Sequence, residues 1–461
     1  MPDIVCVSPV DGREVVRRPA SSAAEIEAAV AAARKAQAAW KRLPVAERGQ
    51  ILSKAVDAML AMRGEIAPEL AWQMGRPIRY GGGELGGFEE RARAMIAMAE
   101  SALADIVPEP KAGFRRYIAR EPLGIVLTVA PWNYPYLTAV NSVVPALMAG
   151  NAVILKAAAQ TLLVGDRFQA AMDKAGLPPG LFRTLPLSHD DTSRLIASGV
   201  VDQVCFTGSV AAGRQIERAA AGTFAGVGLE LGGKDPAYVR ADADLTHAIE
   251  NIVDGVYFNS GQCCCGIERV YVHADVYDNF DDGFANLARQ YVLGDPLDPK
   301  TTLGPMAQPR LAATVRDHIG EALHKGAKAL IDTRTFERDR AGSTYVAPQA
   351  LVNVDHTMKV MMEETFGPVA GIMKVRDDAE AVRLMNDSPY GLTASIWTRD
   401  MDATERIGRE IETGTVYQNR CDYLDPGLAW TGVKDTGRGA TLSRVGYESL
   451  TRPKSYHLRE I

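Results

Sequence analysis

The first candidate for chemistry is a run of three consecutive cysteines, Cys263, Cys264 and Cys265, which directly follows Gly261-Gln262. A cysteine thiolate is a strong nucleophile and forms covalent intermediates with carbonyl substrates. Free cysteines also serve as small buried hydrophobic residues, so the residues alone leave a packing role open. The triplet has no C-x-x-C spacing and no histidine stands in a Cys/His signature, which argues against a metal site and a protease-like dyad.

Two carboxylate motifs could carry acid–base chemistry or bind a ligand. Glu230 lies at the end of an apolar run predicted as a strand over residues 227–231, and Gly232-Gly233-Lys234 follows shortly after. A carboxylate at the carboxyl end of a strand faces the crevice in which α/β proteins bind ligands. The second motif runs from Glu363 to Pro368, and a solvated acidic helix end before a Gly-Pro turn is its alternative interpretation.

A phosphate-binding turn is predicted where the apolar run over residues 203–206 ends. Thr207, Gly208 and Ser209 turn the chain there into a helix that contains Gly213. Such a turn presents free backbone N–H groups and the positive end of a helix dipole, and both suit a pyrophosphate.

A second glycine pattern does not predict a nucleotide site. Gly81, Gly83 and Gly86 match G-x-G-x-x-G, but no apolar strand precedes them, and the dinucleotide fingerprint requires one. We predict a glycine-rich loop between helices at this place.

Alternating strands and helices must position these motifs. Apolar runs of strand length are predicted at residues 123–130, 152–155, 181–187, 203–206 and 227–231, and helices between them at 136–149, 162–175, 191–198 and 211–220. Continuous apolar strands that alternate with helices indicate a parallel sheet covered on both faces. The pattern predicts a doubly wound sheet of the dinucleotide-binding type.

Two further regions flank this sheet. Residues 20–105 are predicted to be mostly helical, with periodic apolar positions over 24–40, 46–62 and 84–104. A second alternating region extends from about residue 242 to residue 418, with strand candidates at 269–273, 370–375, 393–398 and 415–418. We interpret it as a second α/β domain, because 461 residues exceed what one hydrophobic core usually serves.

Composition narrows the classes of protein. The chain carries 51 basic and 57 acidic residues, whereas a nucleic-acid-binding protein would show a basic patch. There is no secretory pattern at the N-terminus, and no stretch approaches the roughly 18 consecutive apolar residues of a membrane span. The six cysteines do not form a disulfide framework. We therefore expect a cytoplasmic protein with reduced thiols that binds neither nucleic acid nor membrane.

Five motifs follow one another along the chain. They are Pro131-Trp132-Asn133-Tyr134-Pro135, Phe206-Thr207-Gly208-Ser209, Glu230-Leu231-Gly232-Gly233-Lys234, Gly261-Gln262-Cys263-Cys264-Cys265 and Glu363-Glu364-Thr365-Phe366-Gly367-Pro368. In this order and at these separations they resemble the aldehyde dehydrogenase superfamily. The resemblance implies a doubly wound cofactor domain (1–111 and 123–231), a second α/β catalytic domain (232–421) and a small β oligomerisation element (112–122 and 436–461). It also implies a homodimer or homotetramer.

The resemblance assigns three catalytic roles. In the family's Gly-Gln-x-Cys pattern the nucleophile is the second cysteine after Gln, here Cys264. Its thiolate attacks the aldehyde carbon and later carries the acyl group as a thioester. Asn133 and the backbone N–H of Cys264 stabilise the oxyanion, and Glu230 activates the water that hydrolyses the thioester.

The resemblance also implies NAD or NADP as cofactor. The family pattern places it against Trp132, Lys156, Ala159, Gly208, Ser209, Gly213, Leu231, Glu364 and Phe366. NAD-selective members commonly carry Glu three residues after the lysine, where this chain has Ala159. Without that carboxylate a 2′-phosphate meets no like charge and Lys156 could attract it, so we expect NADP to be accepted.

The substrate mouth should be lined by Tyr134, Leu137, Asn141, Leu424 and Trp430. Members similar to succinate-semialdehyde dehydrogenase tend to place Arg where Asn141 stands, so a dicarboxylic semialdehyde would need another arginine. Asp422 and Asp425 could instead suit a cationic aldehyde, and the aromatic lining could suit an apolar one.

Two other functions stay open on the sequence. The acyl group could pass to coenzyme A rather than to water, although the presence of Glu230 favours water. The chain could also be a non-catalytic binding or structural relative, although such a protein would be free to lose Cys264, Glu230 or Asn133, and all three are present.

Overall fold

The computed structural model describes residues 3–461, and two large sheets dominate it. The α-helices, in chain order, are α1 (Ala23–Trp40), α2 (Val45–Leu60), α3 (Arg63–Met74), α4 (Ile78–Ala102), α5 (Pro135–Met148), α6 (Leu163–Lys174), α7 (His189–Ala197), α8 (Val210–Ala220), α9 (Leu245–Tyr257), α10 (Tyr277–Ala288), α11 (Pro309–His324), α12 (Lys359–Met362), α13 (Asp378–Asn386) and α14 (Met401–Gly408). The strands are β1 (Asp3–Val7), β2 (Glu14–Pro19), β3 (Phe114–Pro122), β4 (Ile125–Val129), β5 (Ala152–Lys156), β6 (Phe182–Thr184), β7 (Gln203–Thr207), β8 (Gly226–Glu230), β9 (Asp235–Val239), β10 (Ile267–His273), β11 (Lys328–Ala329), β12 (Gln349–Val352), β13 (Val369–Val375), β14 (Tyr390–Gly391), β15 (Thr393–Trp397), β16 (Thr415–Gln418), β17 (Val433–Lys434), β18 (Gly437–Arg438) and β19 (Thr451–Arg459).

The six-stranded sheet has the order β18-β8-β7-β4-β5-β6, and only the β18–β8 pair is antiparallel. β4 and β5 are buried along their whole length, as expected for parallel strands covered on both faces. The chain runs outward from β4 through β5 and β6, then returns to add β7 and β8 on the other side. This reversal confirms the predicted doubly wound α/β fold and opens a crevice beyond the carboxyl ends of β4 and β7.

The seven-stranded sheet has the order β11-β12-β13-β10-β9-β15-β16, in which all pairs except β11–β12 are parallel. Its strands alternate with helices, so the second region is also α/β, as predicted. β9 and β10 occupy the middle of this sheet and are buried almost throughout. The link from β8 to β9 is short, and it joins the two sheets directly beside the Cys264 segment described below.

The glycine-rich segment after α3 is a helix, so the predicted loop is wrong. α4 begins at Ile78 and includes Gly81, Gly82 and Gly83. The reason is close packing between helices, because a Cβ on Gly81 would lie 2.6 Å from the Cβ of Ala67 on α3. No strand leads directly into the glycines among the described residues, since three helices separate them from β2 and α3 runs almost up to them.

Three small antiparallel pairs complete the fold: β1 with β2, β3 with β19, and β14 with β17. β3 and β19 lie within the residues expected to form the small β element, 112–122 and 436–461, and Tyr117 stacks on Tyr456 with ring centroids 4.5 Å apart. Across the described residues, no helix is both long enough and apolar enough to span a bilayer.

Candidate active site

The cysteine triplet follows a short helical turn with an unusual backbone. Asn259 and Ser260 have left-handed φ angles of 53° and 58°, and Gly261 continues the turn at 70°. A Cβ at Gly261 would lie 2.2 Å from the carbonyl oxygen of Gly367, so only glycine fits there. Two consecutive non-glycine residues in this region store strain, which proteins retain mainly at functional sites.

Gln262 fixes this turn from both ends of its side chain. Its Nε2 donates to the carbonyl of Asn259 at 3.1 Å, and its Oε1 accepts the backbone N–H of Ala307 at 2.7 Å. Asn259 Nδ2 in turn donates to the Gln262 carbonyl at 3.1 Å. The glutamine before the cysteines is therefore a structural brace for the segment that carries them.

Of the three cysteines, only Cys264 is appreciably exposed at the surface of a cavity. Cys263 and Cys265 are 6% and 4% exposed, and their sulfur atoms lie 3.5 Å apart. Cys264 is partly exposed and lines a cavity together with Glu230. Hydrogen bonds from the Cys263 and Cys265 thiols lower the pKa of Cys264, which favours the nucleophilic thiolate.

Asn133 lies beside this segment and is held by several hydrogen bonds. Its Nδ2 donates to the carbonyl of Gln262 at 3.2 Å. Its own carbonyl accepts from Arg76 Nη2 and, at 3.4 Å, from Asn259 Nδ2. Asn133 Nδ2 makes only this one hydrogen bond among the described residues, so its second proton has no acceptor there.

A buried ion pair between Arg76 and Glu84 anchors this arrangement, and the sequence analysis missed it. The two side chains are 2% and 0% exposed. Glu84 Oε1 accepts the backbone N–H groups of Tyr136 and Leu137 at 2.9 and 3.1 Å, and so caps the N-terminus of α5. Both charged residues lie close in sequence to the glycine motif at residues 81–86, where no sequence pattern indicates burial.

Glu230 ends β8 and lies between two cavities. Its carboxylate accepts hydrogen bonds from Thr441 Oγ1 at 2.6 Å and Thr207 Oγ1 at 3.2 Å. Burial raises the pKa of Glu230, and these hydrogen bonds oppose the shift. One cavity contains Cys264; the other, of about 250 Å³, is lined by polar groups that include Ser142 and Arg438.

The five predicted substrate residues all line the Cys264 cavity: Tyr134, Leu137, Asn141, Leu424 and Trp430. Arg91 and Asp422 line it as well, and Arg91 was not singled out by the sequence. Tyr134 Oη and Asn141 Nδ2 are buried and have no hydrogen-bond partner among the described residues. Asp425, by contrast, is an exposed loop residue that accepts the backbone N–H of Gly427 at 2.8 Å.

Several predicted cofactor residues pack against the link between the two sheets. Trp132 and Phe366 meet edge to face with centroids 5.7 Å apart. Glu364 Oε1 accepts the backbone N–H of Gly233 at 3.0 Å, and its Oε2 accepts none from the described residues. A Cβ on Gly213 would lie 2.5 Å from Leu231 Cδ2, so α8 approaches this link as closely as glycine permits.

The lysine of the Glu230–Lys234 motif has a structural contact that the sequence did not predict. Lys234 forms a buried ion pair with Glu268. Glu268 also accepts the backbone N–H groups of Thr365 and Phe366, each at 2.8 Å. This pair holds the Glu364–Phe366 segment in place beneath the crevice.

The remaining cofactor candidates lie at the carboxyl ends of β5 and β7. Lys156 ends β5, and burial lowers its pKa to about 8. Ala159 follows at the start of a short helical turn, and Ser209 caps α8 through its hydroxyl, which accepts the backbone N–H of Ala212 at 3.3 Å. Gly208 lies in the same turn, and a Cβ there would come 2.6 Å from the ring of Phe206.

His189 lies near Lys156 and was not among the residues predicted from the sequence. The charge of Lys156 lowers the pKa of His189.

Comparison with known proteins identifies the family. The model of the aldehyde dehydrogenase family matches residues 2–456. The 3-sulfolactaldehyde dehydrogenase of Pseudomonas putida is 33% identical over 448 residues, which cover 97% of this chain and 92% of that protein. The NADP(+) succinate-semialdehyde dehydrogenase of Escherichia coli K12 is 31% identical over the same shares.

Solved structures agree with this assignment. The crystal structure of PnpE in complex with nicotinamide adenine dinucleotide has a TM-score of 0.94 to this chain at 31% sequence identity, and the alignment covers 100% of this chain and 94% of PnpE. Together with a family match along almost the whole sequence, this means that the protein belongs to the aldehyde dehydrogenase family and is an oxidoreductase that acts on an aldehyde.

Proposed function

We propose that the protein oxidises an aldehyde to a carboxylic acid through a thioester on Cys264. One observation carries the proposal: Cys264 is the partly exposed member of the cysteine triplet, and it shares a cavity with Glu230. A nucleophile and a carboxylate in one cavity can perform the two halves of the reaction, acylation and hydrolysis.

In the first half, the Cys264 thiolate adds to the aldehyde carbon and forms a tetrahedral oxyanion. The free proton of Asn133 Nδ2 and the backbone N–H of Cys264 supply donors for this oxyanion, each worth about 3–4 kcal/mol in comparable enzymes. Bound NAD or NADP supplies the hydride acceptor. Loss of hydride from the former aldehyde carbon leaves the acyl group on the Cys264 sulfur as a thioester.

In the second half, Glu230 takes a proton from water, and the resulting hydroxide attacks the thioester carbon. The C–S bond breaks, which returns Cys264 as the thiolate and releases the carboxylic acid. Burial of Glu230, which raises its pKa, strengthens it as a base once it is ionised. Its position in the Cys264 cavity supports water over coenzyme A as the acyl acceptor.

NAD or NADP is the cofactor, and the residues present fit it. PnpE was crystallised with nicotinamide adenine dinucleotide, and the E. coli relative is named for NADP(+). In this chain Glu364 Oε2 accepts no hydrogen bond from the described residues and is free to accept one from a hydroxyl group. We propose that NADP is accepted because Lys156, which lies close enough to His189 to lower its pKa, is followed three residues later by Ala159, which contributes no negative charge.

The test is NAD(P)H formation at 340 nm from the purified protein with a panel of aliphatic, aromatic, amino- and dicarboxylic aldehydes and both cofactors. We expect turnover that disappears in Cys264→Ala, while Cys263→Ala retains it. An Ala159→Glu variant should lose kcat/KM for NADP and not for NAD. Turnover that persists in Cys264→Ala, or a strong preference of the natural protein for NAD, would contradict the corresponding part of the proposal.

We also propose that residues 112–122 and 436–461 form the oligomerisation element of a homodimer or homotetramer. β3 and β19 form a separate two-stranded sheet, the outer edge of β19 pairs with no strand among the described residues, and most of β19 is exposed in the single chain. Exposed strand edges readily pair with another chain. Light scattering on the purified protein, with a variant truncated before β19 as comparison, measures the assembly directly.

A further inference from the structure

Arg91 is a buried cation without a counter-ion. It lies on α4 and is 7% exposed. Its Nη1 donates to the carbonyl of Leu137 at 2.7 Å and contacts Asn141 Oδ1 at 3.4 Å. Within residues 3–461 no carboxylate lies within 4.0 Å of its guanidinium, and Nε and Nη2 have no hydrogen-bond acceptor. Burying an unpaired charge is costly, so such a group calls for an anionic partner.

The guanidinium lies where a substrate must pass. Arg91 lines the Cys264 cavity and also the outer cavity at its mouth, which contains Tyr80, Glu90 and Asp422. It is the residue of α4 that these two cavities share. A molecule that extends from Cys264 toward solvent therefore meets the free edge of Arg91.

The acidic groups around Arg91 do not neutralise it. Glu84 is paired with Arg76, and Glu90 accepts a hydrogen bond from Tyr423 Oη at the mouth. Burial raises the pKa of Asp422 well above the ordinary range, and burial also raises the pKa of Glu230. Arg91 is the only lysine or arginine that lines the Cys264 cavity, and no carboxylate among the described residues forms an ion pair with it.

The cavity also offers unused polar groups. Asn141 Nδ2 is buried beside Arg91 without an acceptor, and Tyr134 Oη is buried without a partner among the described residues. With the Nε–Nη2 edge of Arg91, these groups can surround the oxygen atoms of one anionic group. The parallel N–H bonds of a guanidinium edge match two oxygens of a carboxylate or sulfonate.

We propose that Arg91 binds an anionic group of the substrate, and that the protein oxidises aldehydes that carry a carboxylate or sulfonate. The proposal rests on the proposed role of Cys264 in the same cavity. Members similar to succinate-semialdehyde dehydrogenase tend to place Arg where Asn141 stands, so a dicarboxylic semialdehyde needs another arginine here. Arg91 of α4, which contacts Asn141, supplies it. Asp422 does not select a cationic aldehyde in this arrangement.

The test compares aldehydes of equal length in the full-length protein. 4-Oxobutanoate is paired with its methyl ester, and the corresponding sulfonate aldehyde and a trimethylammonium aldehyde are added. The variant is Arg91→Met, which keeps the length of the side chain and removes its charge. Arg93→Met is the matched control, because Arg93 is an exposed arginine of the same helix that pairs with Asp57 and Glu89.

We expect the natural protein to prefer the anionic aldehydes over the ester. Arg91→Met should lower kcat/KM for the carboxylate by about 10- to 150-fold, mainly through KM, as expected for lost hydrogen bonds to a charged group. The ester should change by less than about 3-fold, and Arg93→Met should change neither. Comparison of the carboxylate with the sulfonate distinguishes the two anionic groups.

The outcomes separate this proposal from the proposed function. Two outcomes would overturn the role of Arg91 and leave the cysteine chemistry intact. One is that Arg91→Met loses kcat/KM equally for the ester and the carboxylate. The other is that the natural protein prefers the ester or the cationic aldehyde. No turnover of any aldehyde would overturn the proposed function itself. If Arg91→Met does not fold, Arg91→Lys keeps the charge, and it must retain the preference for the anionic aldehyde over the ester.

Discussion

Replacing Arg76 with methionine should destabilise the protein strongly and disturb the site. Arg76 is 2% exposed and pairs with Glu84, which is 0% exposed, so the substitution leaves a carboxylate buried without its cation. Breaking a buried pair from one side typically costs about 3–5 kcal/mol. The variant also loses the contacts of Arg76 with Asn259 Oδ1 at 3.2 Å and with the Asn133 carbonyl.

The free energy of unfolding is measured by urea denaturation for Arg76→Met, Glu84→Gln and the double variant. The double variant removes both charges, so we expect it to be less destabilised than the sum of the single variants by at least about 1 kcal/mol. Arg93→Met is the control, because its ion pairs with Asp57 and Glu89 are exposed and should contribute no more than about 1 kcal/mol.

Activity provides a second measurement of the same contact. Because Arg76 fixes Asn133, we expect folded Arg76→Met to acylate more slowly in single-turnover experiments. A loss of stability below about 1 kcal/mol, or strict additivity in the double variant, would refute the view that this pair organises the site.

Three further predictions concern Glu230 and the cofactor crevice. Glu230→Gln should keep the first turnover and lose steady-state rate by about 100-fold or more, seen as a burst of NAD(P)H in stopped-flow; a linear trace would contradict it. Because burial raises the pKa of Glu230, its base form fills as pH rises through that raised value, so hydrolysis should increase as pH rises above the ordinary range of a carboxylic acid, and a flat profile would speak against this role. Gly213→Val should raise the dissociation constant for the cofactor by about tenfold, because its Cβ would lie 2.5 Å from Leu231, whereas Gly320→Val, in open space on α11, should leave cofactor affinity unchanged in a fluorescence titration.

The sequence predicted the parts of the fold that depend on local pattern. Apolar runs located β4, β5, β7 and β8 to within two residues, since buried parallel strands are continuously apolar. The family resemblance named five substrate residues that the fold gathers into one cavity, although they come from α5, the turn before it and the segment after β16. The order and spacing of the motifs identified these five residues, which composition alone does not indicate.

The strand β9 escaped prediction for a local reason. It contains Pro236, which usually argues against a central strand because proline cannot donate to the ladder. The structure accommodates it with a register shift in β10, where Ile267 pairs with Asp235 and Arg269 with Pro236. This register shift compensates for the backbone hydrogen bond that Pro236 cannot donate.

The polar groups that organise the site escaped prediction for a tertiary reason. Arg76, Glu84 and Arg91 come from helical segments in which charged residues are normally exposed. Glycines at 81–83, 86 and 87 also interrupt the apolar periodicity that would show which face of α4 is buried. Only the packing of α4 against α5 places these charges inside the protein.

Two separate cavities reach Glu230, one on either side of it. In the mechanism proposed above, the aldehyde enters past α4, α5 and the segment around Leu424, whereas the second cavity is walled by the backbone of β7 and β8 and reaches Arg438. Water can therefore reach the carboxylate without crossing the space that the acyl chain fills. Side chains at the aldehyde entrance can then be exchanged to change which compounds are admitted, while the hydrolytic step, served from behind, is left as it is.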